Sequence, residues 1–227
     1  MSFDYTHATS LDETLRLLQT AGTVPVAGGT DLVPCVDEGI LTPTRVVDVR
    51  ALPGARSVTL HADGSATLGH AVTIAELGEH AGLRERYPVL ADAALSVGTP
   101  ALRNQGTLGG NLVQRHHCWY FRRGVHCFKR GGTQCAAVDG EHEYHGIVAD
   151  GTCRAAHPSD PAVALEVLGA EVEIARAGGT TRRVGVAALY SGAANDANRE
   201  AQIASDELIV AVHLPAAAQG GAQYWEK

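Results

Sequence analysis

Arg103-Asn104-Gln105-Gly106-Thr107-Leu108-Gly109-Gly110-Asn111-Leu112 is the stretch from which the rest of this 227-residue chain is read. Glycines let a backbone come close to an anion, and successive N–H groups in a tight turn form a concave nest for phosphate oxygens. Thr107 and Asn111 stand beside Gly109-Gly110 as additional polar groups. A second turn of the same character, Ala27-Gly28-Gly29-Thr30-Asp31-Leu32, lies upstream, directly after a predicted strand at residues 24–27. Neither turn follows G-x-G-x-x-G or the Walker A pattern, so neither a Rossmann nor a P-loop site is indicated. A single Gly-Gly pair is usually an ordinary turn. Two such turns, each flanked by polar donors, favour a pyrophosphate-bearing ligand.

Outward from these turns the pattern alternates between helix and strand. Ser10-Leu11-Asp12-Glu13 and Thr73-Ile74-Ala75-Glu76 are capping-box signatures, the first followed by Leu15 and Leu18 at helical spacing and the second opening a helix to about residue 80. Residues 45–49 read as a strand, and Val58, Leu60, Asp63-Gly64, Ala66 and Leu68 as a hairpin. Residues 89–97 have helical small-residue character. Asp160-Pro161 predicts an N-cap with proline in the first helical position, the helix then ending at Gly169. Residues 171–176 and 181–184 flank Ala177-Gly178-Gly179 as another hairpin, and residues 207–214 form a last strand stopped by Pro215. This is an α+β pattern with two lobes, dividing near residues 50–57.

The cysteines are distributed unevenly. Cys118, Cys127, Cys135 and Cys153 lie within 36 residues, while Cys35 stands apart. An odd count with no basic, apolar leader at the N-terminus fits a disulfide framework poorly. Gaps of x8, x7 and x17 contain no C-x2-C pair, which argues against a zinc ribbon, and they do not match the common ferredoxin spacings. On spacing alone, scattered thiols and a metal or iron–sulfur site both stay open. Arg115, His116, His117, Arg122, Arg123, His126, Lys129 and Arg130 make this the one strongly basic stretch. Nearby cations stabilise an anionic thiolate-ligated cluster, and a solvated basic loop is the other explanation. Five histidines share the segment (His116, His117, His126, His142 and His145), more simply loop residues than ligands where four thiols are present. Trp119, Tyr120 and Phe121 either cover such a site, face a partner, or pack in the core.

Composition excludes several function classes. A net charge of −7 argues against nucleic-acid binding, and no apolar run is long enough to insert into a membrane. With 45% hydrophobic residues the chain can bury a core. With only 5% of residues aromatic and 26 glycines, much of that core must be small-residue packing.

The two glycine turns, in this order and spacing, resemble the FAD-pyrophosphate loops of the FAD-binding medium subunit of molybdenum hydroxylases, the family of xanthine dehydrogenase and carbon monoxide dehydrogenase. The resemblance runs over essentially the whole chain and includes His157-Pro158-Ser159-Asp160 before a helix. The cysteine-bearing segment is most similar to the [4Fe-4S]-containing flavin subunit of periplasmic-type aldehyde oxidoreductase. The resemblance implies a two-lobed FAD-binding fold of the vanillyl-alcohol-oxidase/PCMH type. Its lobes would be residues 1–56 and 57–221, with an iron–sulfur insertion at about 112–156. Family members continue beyond a Tyr-x-Lys-like segment into a further domain. Here residues 222–227 stand at the start of it, so the C-terminal domain is expected to be absent.

The same resemblance implies cofactors and roles. FAD would be held by Ala27, Gly28, Gly29, Thr30, Asp31, Leu32, Thr107, Gly109, Gly110 and Asn111 around the pyrophosphate, with Ser159 and Asp160 at the ribityl chain. Cys118, Cys127, Cys135 and Cys153 would ligate the [4Fe-4S] cluster, leaving Cys35 an ordinary thiol. Substrate oxidation would occur on a molybdopterin-binding large subunit. Electrons would arrive through a [2Fe-2S] small subunit and leave to an external acceptor. No residue here is expected to act as a catalytic acid, base or nucleophile. The complex would be cytoplasmic, or periplasmic by co-export with a partner subunit. A non-enzymatic iron–sulfur or zinc module would leave both glycine turns unused, and an autonomous flavin oxidase would need a substrate lobe.

Overall fold

The computed structural model describes residues 2–148, 151–217 and 222–227. The expected end of the second lobe at residue 221, and residues 149–150 of the cysteine segment, lie outside the described residues. Val46 and Val47 are buried at the centre of a three-stranded parallel sheet. Here β3 (Arg45–Asp48) runs between β1 (Asp4–His7) and β2 (Thr23–Val26), with Val46 opposite Tyr5 on one side and Val24 on the other. Parallel strands need a crossover, and α1 (Leu11–Leu18) supplies the one from β1 to β2, which flank β3, burying Leu15 and Leu18. Ser10 caps α1 by accepting from the Glu13 N–H at 3.2 Å. The Glu13 carboxylate reaches back to the N–H of Thr9 instead of Ser10, so only half of the expected capping box forms. Between β2 and β3 lies α2 (Leu32–Asp37).

The second sheet is antiparallel throughout and has five strands. They are β4 (Val58–Leu60), β5 (Ala66–Gly69), β6 (Glu171–Arg176), β7 (Thr180–Gly185) and β8 (Glu207–Leu214), in the order β4-β5-β8-β6-β7. Both predicted hairpins form, and Gly64, Gly178 and Gly179 take the positive φ that their tight turns require. The last strand, β8, is inserted between them, so that Val212 faces Leu68 on one side and Val172 on the other. Among the described residues six helices contribute to the core of this sheet: α3 (Ile74–Glu79), α4 (Ala81–Arg86), α5 (Pro88–Leu95), α7 (Leu108–Val113), α9 (Asp160–Val167) and α10 (Val186–Tyr190). The capping box of α3 is complete. Packing is close because the residues are small: a Cβ on Gly78 would sit 2.6 Å from Leu95 Cγ. The cap of α9 is one residue earlier than the sequence suggests. The Ser159 hydroxyl accepts from the Ala162 N–H, and Asp160 and Pro161 are already helical.

The connection at residues 50–57 is packed between the sheets. Gly69 lies against the carbonyls of Gly54 and Ala55, and Ala71 N–H donates to Ala55 O. Ala175 and Leu208 of the second sheet share a buried cluster with Leu15, Leu18 and Val47 of the first. His70 ties the two halves: its Nε2 lies 3.1 Å from Val49 O and its Nδ1 3.3 Å from Val210 O. Burial lowers its pKa, against the pull of both carbonyls.

Candidate functional site

The two glycine turns meet face to face. A Cβ on Gly28 would lie 1.8 Å from Gln105 O, so only glycine lets the first turn rest against the backbone that ends α6 (Pro100–Gln105). Gly29 takes a left-handed φ of 71°, which aims the following backbone into the space between the turns. Among the described residues, the N–H groups of Gly28, Gly29, Thr30 and Asp31 have no acceptor within the chain. An amide row without internal partners is the anion nest that the sequence suggests. It faces a cleft of ≈ 740 Å³, a volume suited to a large organic cofactor.

Every predicted cofactor-binding residue lines this cleft except Gly109. Gly109 is instead a packing residue: its N–H donates to His70 O at 2.8 Å, and a Cβ there would come within 3.0 Å of the His70 side chain. The second turn is therefore no amide nest. The Gly110 N–H is taken by the Thr107 hydroxyl, which caps α7 (Leu108–Val113), and the Asn111 N–H by Thr107 O. The second turn contributes side chains and bare surface, while the first contributes backbone donors.

Ser159 and Asp160 line the cleft with their polar groups already engaged. The Ser159 hydroxyl accepts from Ala162 N–H and so donates to Asn111 Oδ1 at 2.5 Å, which leaves the Asn111 NH2 available to a ligand. Asp160 Oδ2 lies 2.6 Å from Lys227 Nζ. Asp31 is held from the far side, its Oδ1 by Arg122 Nη2 at 2.7 Å and its Oδ2 by Arg115 N–H at 2.9 Å. It fixes the turn, and its charge is compensated before any phosphate arrives.

Sequence reasoning missed His157 and Lys227 as cleft residues. His157 stacks on Tyr190, ring centroids 4.4 Å apart, and both of its ring nitrogens are buried without a hydrogen-bond partner. Burial lowers its pKa to about 4, so it is neutral near pH 7. The signal was present in His157-Pro158, adjoining the Ser159-Asp160 already singled out. Lys227 carried no local signal, because its side chain enters the cleft through long-range packing: Trp225 Nε1 donates to Ser96 Oγ and Gln223 contacts α5 and Arg86.

The four clustered cysteines also converge. Cys118, Cys127, Cys135 and Cys153 line one small cavity together with His116, Tyr120, Phe121, Phe128 and Lys129. Among the described residues no three His, Cys, Asp or Glu side chains are close enough to hold a single metal ion. Burial raises the pKa of Cys118 and Cys153, and the neighbouring thiols raise them further. His145 Nε2 lies 3.2 Å from Cys118 Sγ, with Trp119 edge-on to its ring. Phe121 is core, Tyr120 wall, and Trp119 is half-buried at the rim. Cys35 is fully buried elsewhere, and burial, with the Asp31 carboxylate, raises its pKa to about 11.

The basic residues of this segment are used differently from the sequence expectation. Most of them bind the segment to the rest of the chain. Lys129, 6% exposed, places its ammonium against the carbonyls of Ala193 (3.0 Å), Asp196 (2.6 Å) and Arg199 (2.6 Å). Burial lowers its pKa, and the nearby Glu200 opposes that. Arg130 donates to Phe121 O, Glu38 O and Gly39 O. Arg115 approaches buried Glu200 at 2.8 Å, an ion pair whose N–H is not aligned as a hydrogen bond. Arg115, Arg122 and Arg130 all surround the Phe121 ring. Of these cations, Lys129 alone also lines the cysteine cavity.

Two packed sheets beside a cleft lined by a row of free amides form a geometry that can take an anionic ligand. Comparison with known proteins names the chain's family. Residues 1–217 match the family described as the FAD binding domain in molybdopterin dehydrogenase, and the chain belongs to that family. It is 37% identical over 210 residues to the aldehyde oxidoreductase FAD-binding subunit PaoB of Escherichia coli K12, covering 91% of this chain and 66% of that one. It is 33% identical over 109 residues to the xanthine dehydrogenase FAD-binding subunit of Escherichia coli O157:H7, covering 48% of this chain and 37% of that one. Among solved structures, carbon monoxide dehydrogenase from Hydrogenophaga pseudoflava shares the fold, with a TM-score of 0.70 at 19% identity over 97% of this chain and 61% of that one. The chain thus spans less than two thirds of the length of the relatives it matches. These relatives are oxidoreductase subunits, and a stand-alone iron–sulfur or zinc module does not account for a match across both lobes.

Proposed function

We propose that this chain is the FAD-carrying electron-transfer subunit of a molybdenum-dependent oxidoreductase of the aldehyde or xanthine dehydrogenase kind. One observation carries the proposal: the unpartnered amides of residues 28–31 line the same cleft as the Asn111 amide and the orphaned His157 nitrogens. Free N–H groups in a turn attract the oxygens of an anionic ligand. The donor set also suits FAD chemically, with N–H groups for the pyrophosphate and a neutral histidine and an amide for the sugar and ribityl oxygens. When bound, FAD supplies electron-transfer chemistry that no side chain here offers. The chain's own part is to bind and orient it. Gly28, Gly29, Thr30 and Asp31 present the amides, Thr107, Gly110 and Asn111 form the opposite wall, and Ser159 and Asp160 close one end.

We assign a [4Fe-4S] cluster to Cys118, Cys127, Cys135 and Cys153. Four thiols line one cavity, and a four-iron cluster takes one thiolate on each of its irons. His145 is placed to donate to the Cys118 sulfur, an interaction that tunes cluster potential. The lobes would divide at 56/57, with the insertion at about 112–156. A molybdopterin-binding large subunit and a [2Fe-2S] small subunit would complete the assembly, with an external acceptor removing the electrons. No helix among the described residues is long and apolar enough to cross a membrane. The assembly would work in the cytoplasm, or in the periplasm by co-export with a partner subunit.

An absorption spectrum of anaerobically purified protein tests this reading. Bands at about 370 and 450 nm over a broad iron–sulfur shoulder are expected for a protein-bound flavin beside a cluster. A colourless, zinc-loaded preparation contradicts it.

A further inference from the structure

One side chain joins the two regions. A single helical turn, α8 (Trp119–Arg122), starts from Cys118, whose carbonyl accepts the Arg122 N–H at 2.9 Å. Its last residue, Arg122, leaves the cysteine cavity and enters the back of the first glycine turn. There Nη2 donates to Asp31 Oδ1 at 2.7 Å, and Nη1 contacts Glu38 Oε2 at 3.3 Å and Cys35 Sγ at 3.2 Å. The other donors return to the segment itself, Nε to His116 O at 2.8 Å and Nη2 to Arg115 O at 3.2 Å. The guanidinium is therefore a rigid fork, held on one side by the cysteine segment and on the other by the turn that carries the free amides. Asp31 has no other cationic partner within salt-bridge distance among the described residues. If Arg122 moves, an uncompensated carboxylate is left beside the amides that would receive a pyrophosphate. The Arg115 N–H that holds Asp31 Oδ2 belongs to the same segment, and would move with it.

We propose that Arg122 is a positioning residue that makes FAD affinity depend on the state of the cysteine segment: the turn starting at Cys118 keeps Arg122 on Asp31 when the cavity holds its cluster and releases it when the cluster is lost. The proposal rests on the assignment of FAD to the cleft and iron to the cysteines. Linkage then requires reciprocity, each cofactor favouring binding of the other by the same factor.

The test is the FAD dissociation constant of the full 227-residue chain, iron-loaded and iron-stripped, followed by flavin fluorescence. Stripping iron is expected to weaken FAD binding by about tenfold, within the range of ordinary coupling between sites. In Arg122→Gln the weak value should hold with iron present, and the difference between loaded and stripped forms should vanish. Arg122→Lys should restore only part of it, because lysine cannot span Asp31 and the His116 and Arg115 carbonyls together. Exposed Arg123→Gln should behave as wild type. Equal affinities for the loaded and stripped wild-type chain would overturn the coupling while leaving both cofactor assignments standing, and this arm needs no variant to fold. Iron dependence that persists in Arg122→Gln would overturn the role of Arg122. Failure of the wild-type chain to take up either cofactor would overturn the coupling and the assignments beneath it.

Discussion

The glycine cleft and the cysteine segment sit side by side but are built by opposite means. The cleft is shaped by backbone: β2, α6 and α7 bring main chain against main chain at Gly28–Gln105, and Ile74 N–H donates to Gly106 O across the same seam. The described residues of 114–158 carry little regular structure, a four-residue helix and a 3₁₀ turn at Phe128–Arg130. What fastens them is a few long cationic side chains donating to distant carbonyls and carboxylates. Backbone contact of the first kind is set once the lobes fold. Point contacts of the second kind depend on single side chains. One region is preformed and the other conditional, and a sequence of tests can break or sharpen that contrast.

The largest effect is expected at the seam. Gly28→Ala puts a methyl where Gln105 O already lies 1.8 Å from the ideal Cβ position, so the turns must part. Purified variant should carry no measurable flavin while keeping the far-UV circular dichroism of the wild type. Flavin retained at the wild-type ratio would show that the seam is not what shapes the cleft. Next comes Cys127→Ser, which should lose most of the iron and raise amide hydrogen exchange across residues 114–157, with the five-stranded sheet still protected. Unchanged iron content would remove Cys127 from the ligand set.

Lys129→Met is a smaller perturbation of the same segment. It deprives three carbonyls of one ammonium, each within 3.0 Å, and is expected to cost about 2 kcal/mol in chemical denaturation, typical for charged hydrogen bonds. Met fills similar volume, so packing changes little. No loss of stability would mean that the segment is held by something other than its cationic straps.

The pH dependence of the cofactor-free chain supplies the remaining test. His70 and His157 are buried, and burial depresses both, His157 to about 4. The unfolded chain therefore binds more protons than the folded chain below the ordinary histidine range. Stability from these groups is full above about pH 6.5 and falls as pH drops toward 4. Asp48 adds a second, lower window. Burial alone would raise it, but Arg50 and the Tyr5 hydroxyl outweigh burial and hold it at about 2, so its contribution disappears between about pH 4 and 2. Melting temperatures measured from pH 8 to 2 should show both declines, and His157→Gln should reduce the upper one, leaving the shares of His70 and of His116, which burial lowers to about 3. A flat profile between pH 6.5 and 4 would mean that these histidines are solvated in the folded chain.

The sequence made the same contrast legible to different degrees. Strands β2 to β8 and helices α1, α3, α5 and α9 follow from period, capping residues and hairpin turns, all local features. Strand β1 escaped because Asp4–His7 has no apolar alternation: it is a largely exposed edge strand held by pairing with β3 and by the Tyr5 hydroxyl donating to Asp48. The glycine turns were legible as ligand loops, yet their division of labour was not. That Gly109 packs on His70 while Gly28 seats on Gln105 depends on residues far away in the chain. In the cysteine segment, spacing could not show that four thiols share one cavity, and only family resemblance pointed there. The cationic residues misled for the same reason: their partners, Asp31, Glu38 and residues 193–200, lie outside the segment.

We propose that one chain holds two different cofactors in adjoining regions. The most direct test is the stoichiometry of flavin, iron and acid-labile sulfide after anaerobic reconstitution of the 227-residue chain, with unbound material removed. About one flavin, four irons and four sulfides per chain are expected for one FAD and one four-iron cluster. Iron and sulfide without flavin, or flavin with no iron retained by the four cysteines, would contradict it.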